Sequence, residues 1–277
     1  MSLLRGNHGV FRSGKTAGSF LLDQVGVAAS AAYSVRKLRS GYSGNCIRVR
    51  RSSDNAEMNI GFSGNDLDTA TLLSFVGGGN GFVTTWYDQS PSGLDATQTT
   101  GSSQPQIVTS SSLITQNGKP AIQFFSTGNT RLTFSGVSSS TDFSSFCVLR
   151  KVGAGDRICP LGNTSSLIPF SNYTYHDQSV YISNSTQYRQ FLAGAVTTQT
   201  QYSHFNASSV QSLYEKGSLK TLLNAVNQTG ATTFNVVGNR NGESTVGFIQ
   251  EILYFNSSLL NSRVLVETNI NQYFQIY

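Results

Sequence analysis

Charged residues are scarce in this chain: Asp, Glu, Lys and Arg make up only 12% of its 277 residues. Long solvent-exposed helices depend on charged side chains along their polar face, so this composition argues against a mainly helical protein. Proline (5 residues), histidine (3) and tryptophan (1) are also few, whereas glycine reaches 27 residues. Many glycines with few charges are typical of short strands joined by turns, and the length suffices for one large all-β domain or two small ones.

Cysteine is limited to Cys46, Cys147 and Cys159, which form no Cys-x-x-Cys pair and have no histidine at a metal-ligand spacing. Their odd number predicts reduced thiols and folding in a reducing compartment. The lack of a metal-ligand spacing predicts no bound metal, and no other cofactor is predicted. No apolar run of seven residues follows the N-terminal arginines, which argues against a secretory signal. Nothing approaches 18 consecutive apolar residues, so no segment is predicted to enter a membrane.

Acidic residues are nearly absent from the first 51 positions, which hold nine Lys and Arg but only one acid, Asp23, for a net charge of +8. The rest of the chain has 10 basic and 13 acidic residues, for a net charge of −3. A basic segment on a mildly acidic body predicts docking of residues 1–16 to an acidic surface. For the arginines from Arg36 to Arg51, docking and a place on the rim of the fold are equally supported.

The stretch GVFRSGKT at residues 9–16 has the letter pattern of a phosphate-binding P-loop. That loop needs a buried apolar strand before its first glycine and a helix that starts at its lysine. Only eight residues precede Gly9, and Gly18 and Ser19 stand where the helix should run. The sequence therefore predicts no nucleotide site, and residues 1–25 are interpreted as a basic N-terminal arm.

Apolar periodicity predicts two short N-terminal helices, within residues 25–41 and 65–79, and a C-terminal helix within residues 257–277. The second helix is predicted to start at a cap formed by Asn65 or Asp66 and to end at Gly77. The predicted apolar face of the C-terminal helix consists of Leu259, Val266, Ile270, Tyr273 and Tyr277.

Seven or more short strands at regular spacing predict a mainly β fold, a jelly-roll β-sandwich over residues 26–277. Trp86, in the strand GFVTTWYD, is interpreted as a core residue rather than a sugar-stacking one, and Cys147 as buried in a core strand. Strand GFIQEILYF is predicted to direct Glu251 outward, away from the core.

The other polar residues near these motifs have structural interpretations. Asp54 and Asp88 are predicted to stabilise turns, and Glu57 to pair with a neighbouring arginine. The histidines lie beside no nucleophile pattern and are interpreted as ordinary polar residues; they are His8, His176 and His204.

Two stretches, AAYSVRKLRSGYSGNCIRVRRSSDNAEMNIGF and LDTATLLSFVGGGNGFVTTWYDQSPSGLDATQ, resemble a module common in bacteriophage structural proteins. The same order of motifs is similar to the catalytic domain of arabinofuranosidase B-type glycoside hydrolases. The last stretch, GFIQEILYFNSSLLNSRVLVETNINQYFQIY, resembles the final strand and closing helix of concanavalin A-like, laminin-G-like sandwiches. The resemblance covers about residues 28–277 and implies a sandwich of the concanavalin A-like lectin/glucanase type.

The resemblance to the hydrolases implies two catalytic carboxyls, which a retaining enzyme holds about 5–5.5 Å apart. The stretch that matches the first carboxyl, residues 162–177, has no glutamate, and its one acid, Asp177, lies too late for that role. At the second, Asn239 aligns with the family's Asp, and Glu243 is the nearest acid. Since an amide cannot act as acid, base or nucleophile, the sequence predicts no catalytic residue and no enzymatic activity.

The phage resemblance implies a virion protein, made in the host cytoplasm, that serves as a capsid decoration, head-fibre or tail component. Residues 1–25 are predicted to attach it to other virion proteins, and the outward sandwich to bind host-surface glycans, with a homo-oligomer left open. The predicted virion contacts are Leu3, Leu4, Arg5, Arg12 and Lys15. The predicted glycan contacts are Tyr173, Tyr175, Tyr181 and Tyr188. The alternatives are an arabinofuranosidase-like hydrolase and a free carbohydrate-binding module.

Overall fold

Strands dominate the protein, as its composition predicts. A computed structural model describes residues 20–138, 142–152, 160–162, 173–175, 179–184, 187–192, 198–207, 210–224, 233–238 and 246–277. The described residues form 23 strands, most of them in one large antiparallel sheet, and three α-helices. The predicted mainly β sandwich with a C-terminal helix is confirmed.

The N-terminal half alternates short strands with two helices. Its elements are α1 (Leu21–Val25), β1 (Ala31–Ser34), β2 (Ile47–Arg51), β3 (Glu57–Ile60), β4 (Phe62–Ser63), β5 (Asp66–Leu67), α2 (Thr69–Val76), β6 (Gly81–Trp86), β7 (Ala96–Thr97), β8 (Gln106–Thr109), β9 (Ser112–Leu113), β10 (Thr115–Gln116), β11 (Lys119–Pro120) and β12 (Ile122–Phe124).

The second half consists of longer strands and one terminal helix. Its elements are β13 (Arg131–Ser138), β14 (Phe143–Lys151), β15 (Tyr173–Tyr175), β16 (Ser179–Asn184), β17 (Gln187–Leu192), β18 (Thr200–Ala207), β19 (Val210–Glu215), β20 (Ser218–Leu219), β21 (Leu222–Asn224), β22 (Thr233–Gly238), β23 (Gly247–Phe255) and α3 (Arg263–Phe274).

The main sheet pairs its strands in the order β20-β19-β18-β14-β23-β12-β8-β6-β7-β13-β22, with β1 on β23 and β2 on β6. The four strands β15, β16, β17 and β21 form a separate sheet. Strands far apart in this order touch across the core: the rings of Phe234 in β22 and Tyr254 in β23 lie 5.1 Å apart. Tyr33 of β1 likewise contacts Phe134 of β13 at 5.8 Å. The sheet therefore folds over a shared aromatic core, which makes the two layers of the sandwich.

The predicted helix within residues 25–41 is wrong for most of its length. The chain forms only α1, one turn earlier, and then the strand β1, whose Ala31 pairs with Tyr254 and Ser34 with Glu251 of β23. All four β1 residues are buried. Small alanines favour a helix locally, but pairing with a central strand and burial on both faces override that propensity. The buried Leu21 places α1 on the sandwich as part of its core.

The second predicted helix is confirmed as α2, with a corrected cap. Asp68, rather than Asn65 or Asp66, precedes its first turn, and its Oδ1 accepts a hydrogen bond from the Thr71 N–H at 3.0 Å. Gly77 ends the helix with φ +62°, a conformation that glycine adopts without strain. Local cap chemistry, more than the apolar pattern, therefore fixes the bounds of this helix.

The C-terminal helix is confirmed as α3, with a somewhat different buried face. Val266 and Ile270 are buried as predicted, together with Glu267 and Phe274, whereas Tyr277 lies beyond the helix and is 53% exposed. Leu259 is buried as well, but it precedes the helix. Among the described residues no helix combines the length and apolarity needed to cross a membrane.

Several core predictions are confirmed. Trp86 and Cys46 are fully buried, Cys147 is 2% exposed, and both cysteines are thiols. Burial raises the pKa of the Cys46 thiol well above its usual value. Ile47 and Val49 of β2 are buried and alternate with partly exposed arginines. Cys159 lies outside the described residues.

Candidate functional site

The two stretches in which the family resemblance places catalytic acids begin at neighbouring points of the fold. Gly162 forms an isolated antiparallel bridge with Val236 of β22, and its N–H donates to the Val236 carbonyl at 2.9 Å. Gly238 ends β22 two residues further on. At about 3.4 Å per residue, the stretches that start at Gly162 and after Gly238 therefore begin about 7 Å apart along β22.

Three strand ends meet at Phe124, whose ring lies against Gly238. Phe124, the last residue of β12, pairs with Gly247, the first residue of β23, and Gly247 pairs on its other side with Lys151 of β14. Phe124 and Lys151 are fully buried. We call Phe124, Thr130, Lys151, Gly238 and Gly247 the Gly238 edge. A buried lysine in this edge favours negatively charged groups nearby.

Two constraints require a glycine at position 238. Its φ of +91° lies in a region that other residues rarely adopt. A Cβ at this position would lie 2.3 Å from Cδ1 of Phe124 and 3.1 Å from the Thr130 carbonyl oxygen. The close approach of β22 to Phe124 therefore depends on the missing side chain.

Gly238→Ala is expected to lower the free energy of unfolding by about 3 kcal/mol, because backbone strain and displacement of Phe124 add together. Chemical denaturation measures the loss. Gly118→Ala is the matched control, since Gly118 has φ +71° but nothing within 4 Å of the added Cβ. That control is expected to lose about 1 kcal/mol from strain alone. Equal losses in the two variants would show that the contact with Phe124 contributes nothing.

Asp88 stabilises a turn, as predicted. Its Oδ1 accepts hydrogen bonds from the N–H groups of Ala32 and Ser90, both at 2.8 Å. Its Oδ2 accepts from the Ser90 hydroxyl at 2.6 Å and from the Leu94 N–H at 2.8 Å. Because both oxygens of this buried carboxylate are fully engaged, Asp88 joins β1 to the turn after β6 and has no capacity left for a substrate.

Asp95 lies beside Asp88, and its Oδ1 accepts a hydrogen bond from the Asp88 N–H at 2.9 Å. Partial desolvation raises the pKa of Asp95, the hydrogen bond from the Asp88 N–H opposes that rise, and the negative charge of Asp88 adds to it. A raised pKa suits a carboxyl that must donate a proton, so Asp95 is a candidate acid that the sequence pattern does not single out.

The prediction that Glu251 faces outward is wrong. Glu251 is fully buried, and its two oxygens accept from Arg36 Nε at 2.7 Å and Arg36 Nη2 at 2.9 Å. The Ser34 hydroxyl donates to the same carboxylate at 2.7 Å, and Arg36 Nη1 donates to Asn269 Oδ1 at 2.8 Å. Arg36 therefore neither docks a partner nor lies on the rim: it joins β1, β23 and α3 inside the fold.

Arg48 and Arg51 of this segment form local ion pairs at the rim. Arg48 Nε lies 2.6 Å from Glu57 Oε2, which confirms the predicted partner of Glu57. Arg51 binds both oxygens of Asp54 at 2.8 and 2.7 Å, and the Ala56 N–H donates to Asp54 Oδ1 at 3.0 Å, as the predicted turn requires. The Arg51 hydrogen bonds, with the Ala56 N–H, hold the pKa of Asp54 well below its usual value.

The four tyrosines predicted to contact glycans fall in the separate sheet. Tyr173 lies opposite Tyr181, and Tyr188 lies opposite Ser183, two residues from Tyr181 along β16. Because residues two apart in a strand share a face, the positions of these three tyrosines and of Tyr175 fall on one face of that sheet. Their contact with a glycan stays a prediction.

Other predicted site residues lie outside the described residues: Leu3, Leu4, Arg5, Arg12, Lys15, His8, Asp177, His176, Asn239 and Glu243. His204 is 2% exposed, and its ring packs edge-on against Phe143 at 4.9 Å. Within the described part of the chain no three His, Cys, Asp or Glu residues are grouped closely enough to hold a metal ion.

Comparison with known proteins supports one of the two resemblances. Residues 21–124 match the family model "Alpha-L-arabinofuranosidase B, catalytic". A solved GH54 α-L-arabinofuranosidase with a cyclic sulfate inhibitor is 14% identical, covers 90% of this chain and superposes with a TM-score of 0.65. The chain has the fold of this arabinofuranosidase. A second arabinofuranosidase, complexed with arabinofuranosyl-α-1,2-xylobiose, is 15% identical, covers 87% of the chain and has a TM-score of 0.62.

The chain spans 64% and 62% of the length of these two enzymes. No curated protein matches the sequence. The comparisons contradict the prediction that the chain is not an enzyme, because the matched family model is that of a catalytic domain. The resemblance to the arabinofuranosidase B catalytic domain is confirmed, and the phage resemblance stays a prediction.

Proposed function

We propose that this chain is a glycoside hydrolase domain of the arabinofuranosidase B type, with α-L-arabinofuranosides as its substrates. The observation that carries the proposal is the family-model match over residues 21–124, which runs from α1 to the end of β12. The common fold over 90% of the chain extends the similarity beyond that match.

Hydrolysis of an arabinofuranoside needs a carboxylic acid that protonates the leaving oxygen and a carboxylate that attacks the anomeric carbon or activates water. Asn239 can supply neither group, so the acids must come from other positions. Glu243 lies in the stretch that starts after Gly238, and Asp177 in the stretch that starts at Gly162. The start of the Glu243 segment at Gly238 supports a site at the Gly238 edge, whereas Asp177 lies between β15 and β16 of the separate sheet.

The test of the proposal is the release of 4-nitrophenol from 4-nitrophenyl α-L-arabinofuranoside by the full chain. We expect turnover above that of heat-unfolded protein, and little or none with 4-nitrophenyl β-D-xylopyranoside. The variant Asp54→Asn is expected to be fully active, because Asp54 is held by Arg51 at the rim. Absence of release after long incubation at high protein concentration would contradict the proposal.

A second candidate function, glycan binding without cleavage, is supported by the shared face of Tyr173, Tyr175, Tyr181 and Tyr188. Tyrosine positions on one face of a sheet suit stacking on sugar rings. Attachment through residues 1–25 to other virion proteins, a place in the virion and a homo-oligomer stay predictions from the sequence.

A further inference from the structure

A polar pocket of about 230 Å³ opens beside α3, and none of its lining residues belongs to the Gly238 edge. Phe20 lines it at the start of α1, Lys37 after β1, Asn65 between β4 and β5, and Asn269 and Gln272 on α3. We call this cavity the α3 pocket. Its lining combines two aromatic rings, Phe20 and Tyr273, with the apolar Leu21, three carboxamides and the basic side chains of Arg36 and Lys37.

The walls of the α3 pocket are joined to one another by hydrogen bonds. The Lys37 N–H donates to the Asn65 carbonyl at 2.8 Å, which joins the segment after β1 to the turn between β4 and β5. Arg36 donates to Asn269 at 2.8 Å and is itself held by the buried Glu251, which joins the same segment to α3. The pocket is therefore formed before any ligand arrives, which reduces the cost of binding.

Of the basic side chains at the α3 pocket, only Lys37 has no carboxylate partner among the described residues. Arg36 is neutralised by Glu251, and Lys119, which lies over the Tyr273 ring, is 3.5 Å from Asp66. Lys37 forms no ion pair with any carboxylate of the described chain, and its ammonium lies 5.3 Å from the centroid of the Phe20 ring. A partly buried ammonium without a counter-ion favours an anionic ligand.

The basic N-terminal segment is a poor occupant of this pocket. Residues 1–19, which directly precede Phe20, contain Arg5, Arg12 and Lys15 but no acid. Like charges on the segment and on Lys37 repel each other. An external ligand with a negative charge fits the pocket better.

We propose that the α3 pocket binds a hexuronic acid, a sugar unit that carries a carboxylate. The Lys37 ammonium pairs with the carboxylate, and the carboxamides of Asn65, Asn269 and Gln272 hydrogen-bond the hydroxyl groups, since each carboxamide offers both donor and acceptor. The volume suits one sugar ring rather than an oligosaccharide. This site lies outside the proposed catalytic function and does not depend on it.

The test is calorimetric titration of the full chain with sodium D-glucuronate, D-glucose and sodium acetate. We expect glucuronate to bind with a Kd on the order of 1 mM, as a shallow site with one charged contact allows, and more weakly as salt rises. Lys37→Gln is expected to weaken glucuronate binding by about tenfold or more, since a charge-assisted hydrogen bond is lost. Lys216→Gln, the same change in the turn between β19 and β20, is the matched control and is expected to bind like the parent chain.

Several results would overturn the proposal. If glucose binds as tightly as glucuronate, the pocket does not recognise the carboxylate. If acetate binds as tightly, the pocket does not recognise the sugar hydroxyls. Parent-like binding by a Lys37→Gln variant with an unchanged thermal midpoint would remove Lys37 from the site. No binding of glucuronate by the parent chain would also overturn it. Glu243→Gln is expected to retain glucuronate binding, so the failure of catalysis and the failure of this site are distinguishable.

One further comparison distinguishes a free uronic acid from a uronic acid at the end of a polysaccharide. Methyl β-D-glucuronoside has a blocked anomeric oxygen, as has a uronic acid at the end of a polysaccharide. Affinity equal to that of free glucuronate supports a polysaccharide end as the ligand. Loss of binding on methylation supports a free uronic acid in the α3 pocket.

Discussion

Glu243→Gln is expected to lower kcat for arabinofuranoside hydrolysis by about 10²–10⁴-fold, because the amide can no longer exchange a proton in the transition state. KM is expected to change little, since glutamine keeps the size and most hydrogen bonds of glutamate. Glu243 is chosen because it is the one acid between Gly238 and Val246, the described residues that flank its segment. The rate of 4-nitrophenol release measures the effect, and thermal unfolding verifies that the variant is folded.

Glu57→Gln is the matched control for that experiment. It makes the same chemical change in an exposed ion pair with Arg48, and we expect it to retain full activity.

Asp177→Asn tests the second acid. The double variant Asp177→Asn, Glu243→Gln is expected to lose little more activity than the more damaging single variant, as is usual for residues that act together. If Asp95→Asn abolishes turnover while Glu243→Gln leaves it intact, the acid is Asp95 and the site does not lie at the Gly238 edge.

Glu251→Ala is expected to lower the free energy of unfolding by about 3–5 kcal/mol, because it leaves the Arg36 guanidinium buried without its counter-ion. Arg36 is 7% exposed, so water cannot replace the lost carboxylate without opening the contact between β1 and α3. Urea denaturation monitored by Trp86 fluorescence measures the loss, since this single tryptophan is in the core.

Two companion variants make that prediction specific. Glu57→Ala removes an exposed partner from Arg48 and is expected to cost less than about 1 kcal/mol. Arg36→Met with Glu251→Met replaces the buried pair by apolar side chains and is expected to recover most of the stability lost in Glu251→Ala. A loss in Glu251→Ala no larger than that in Glu57→Ala would mean that the pair is hydrated in solution.

Features set by local chemistry could be predicted from the sequence. The turn at Asp88, the end of α2 at Gly77 and the pair of Glu57 with a nearby arginine all involve residues within a few positions or one hairpin of each other. Trp86 in the core followed from the β-branched and aromatic character of its strand.

Features that depend on partners far away in the sequence could not be predicted. Ala31 and Ala32 favour a helix by themselves, and only their pairing with Tyr254 and Leu253 makes them a strand. Glu251 alternates like an exposed residue, but its partner Arg36 lies 215 positions away. Periodicity carries no information about a partner at that separation, so it predicted the wrong side for this carboxylate.

For the candidate sites too, the sequence indicated some of the residues, but only the fold showed which of them lie together. The resemblance pointed to the stretches around Asp177 and Glu243, but their shared origin on β22 depends on the bridge between Gly162 and Val236. The α3 pocket has no sequence signal, because its lining comes from α1, the segment after β1, the turn before β5 and α3. Only the folded chain brings Lys37 and Gln272 to one cavity.

The central position of β23 also governs how the chain reaches its native state. β1 pairs with residues 251–254, so this strand has to wait for a partner that is synthesised much later in the chain. Such a high contact order slows folding, because a long loop must close before the pairing stabilises it. Until residues 251–254 leave the ribosome, the apolar β1 and the edge of β14 that β23 will cover are exposed to other chains. We therefore expect newly made copies to be most prone to aggregation during synthesis rather than after it.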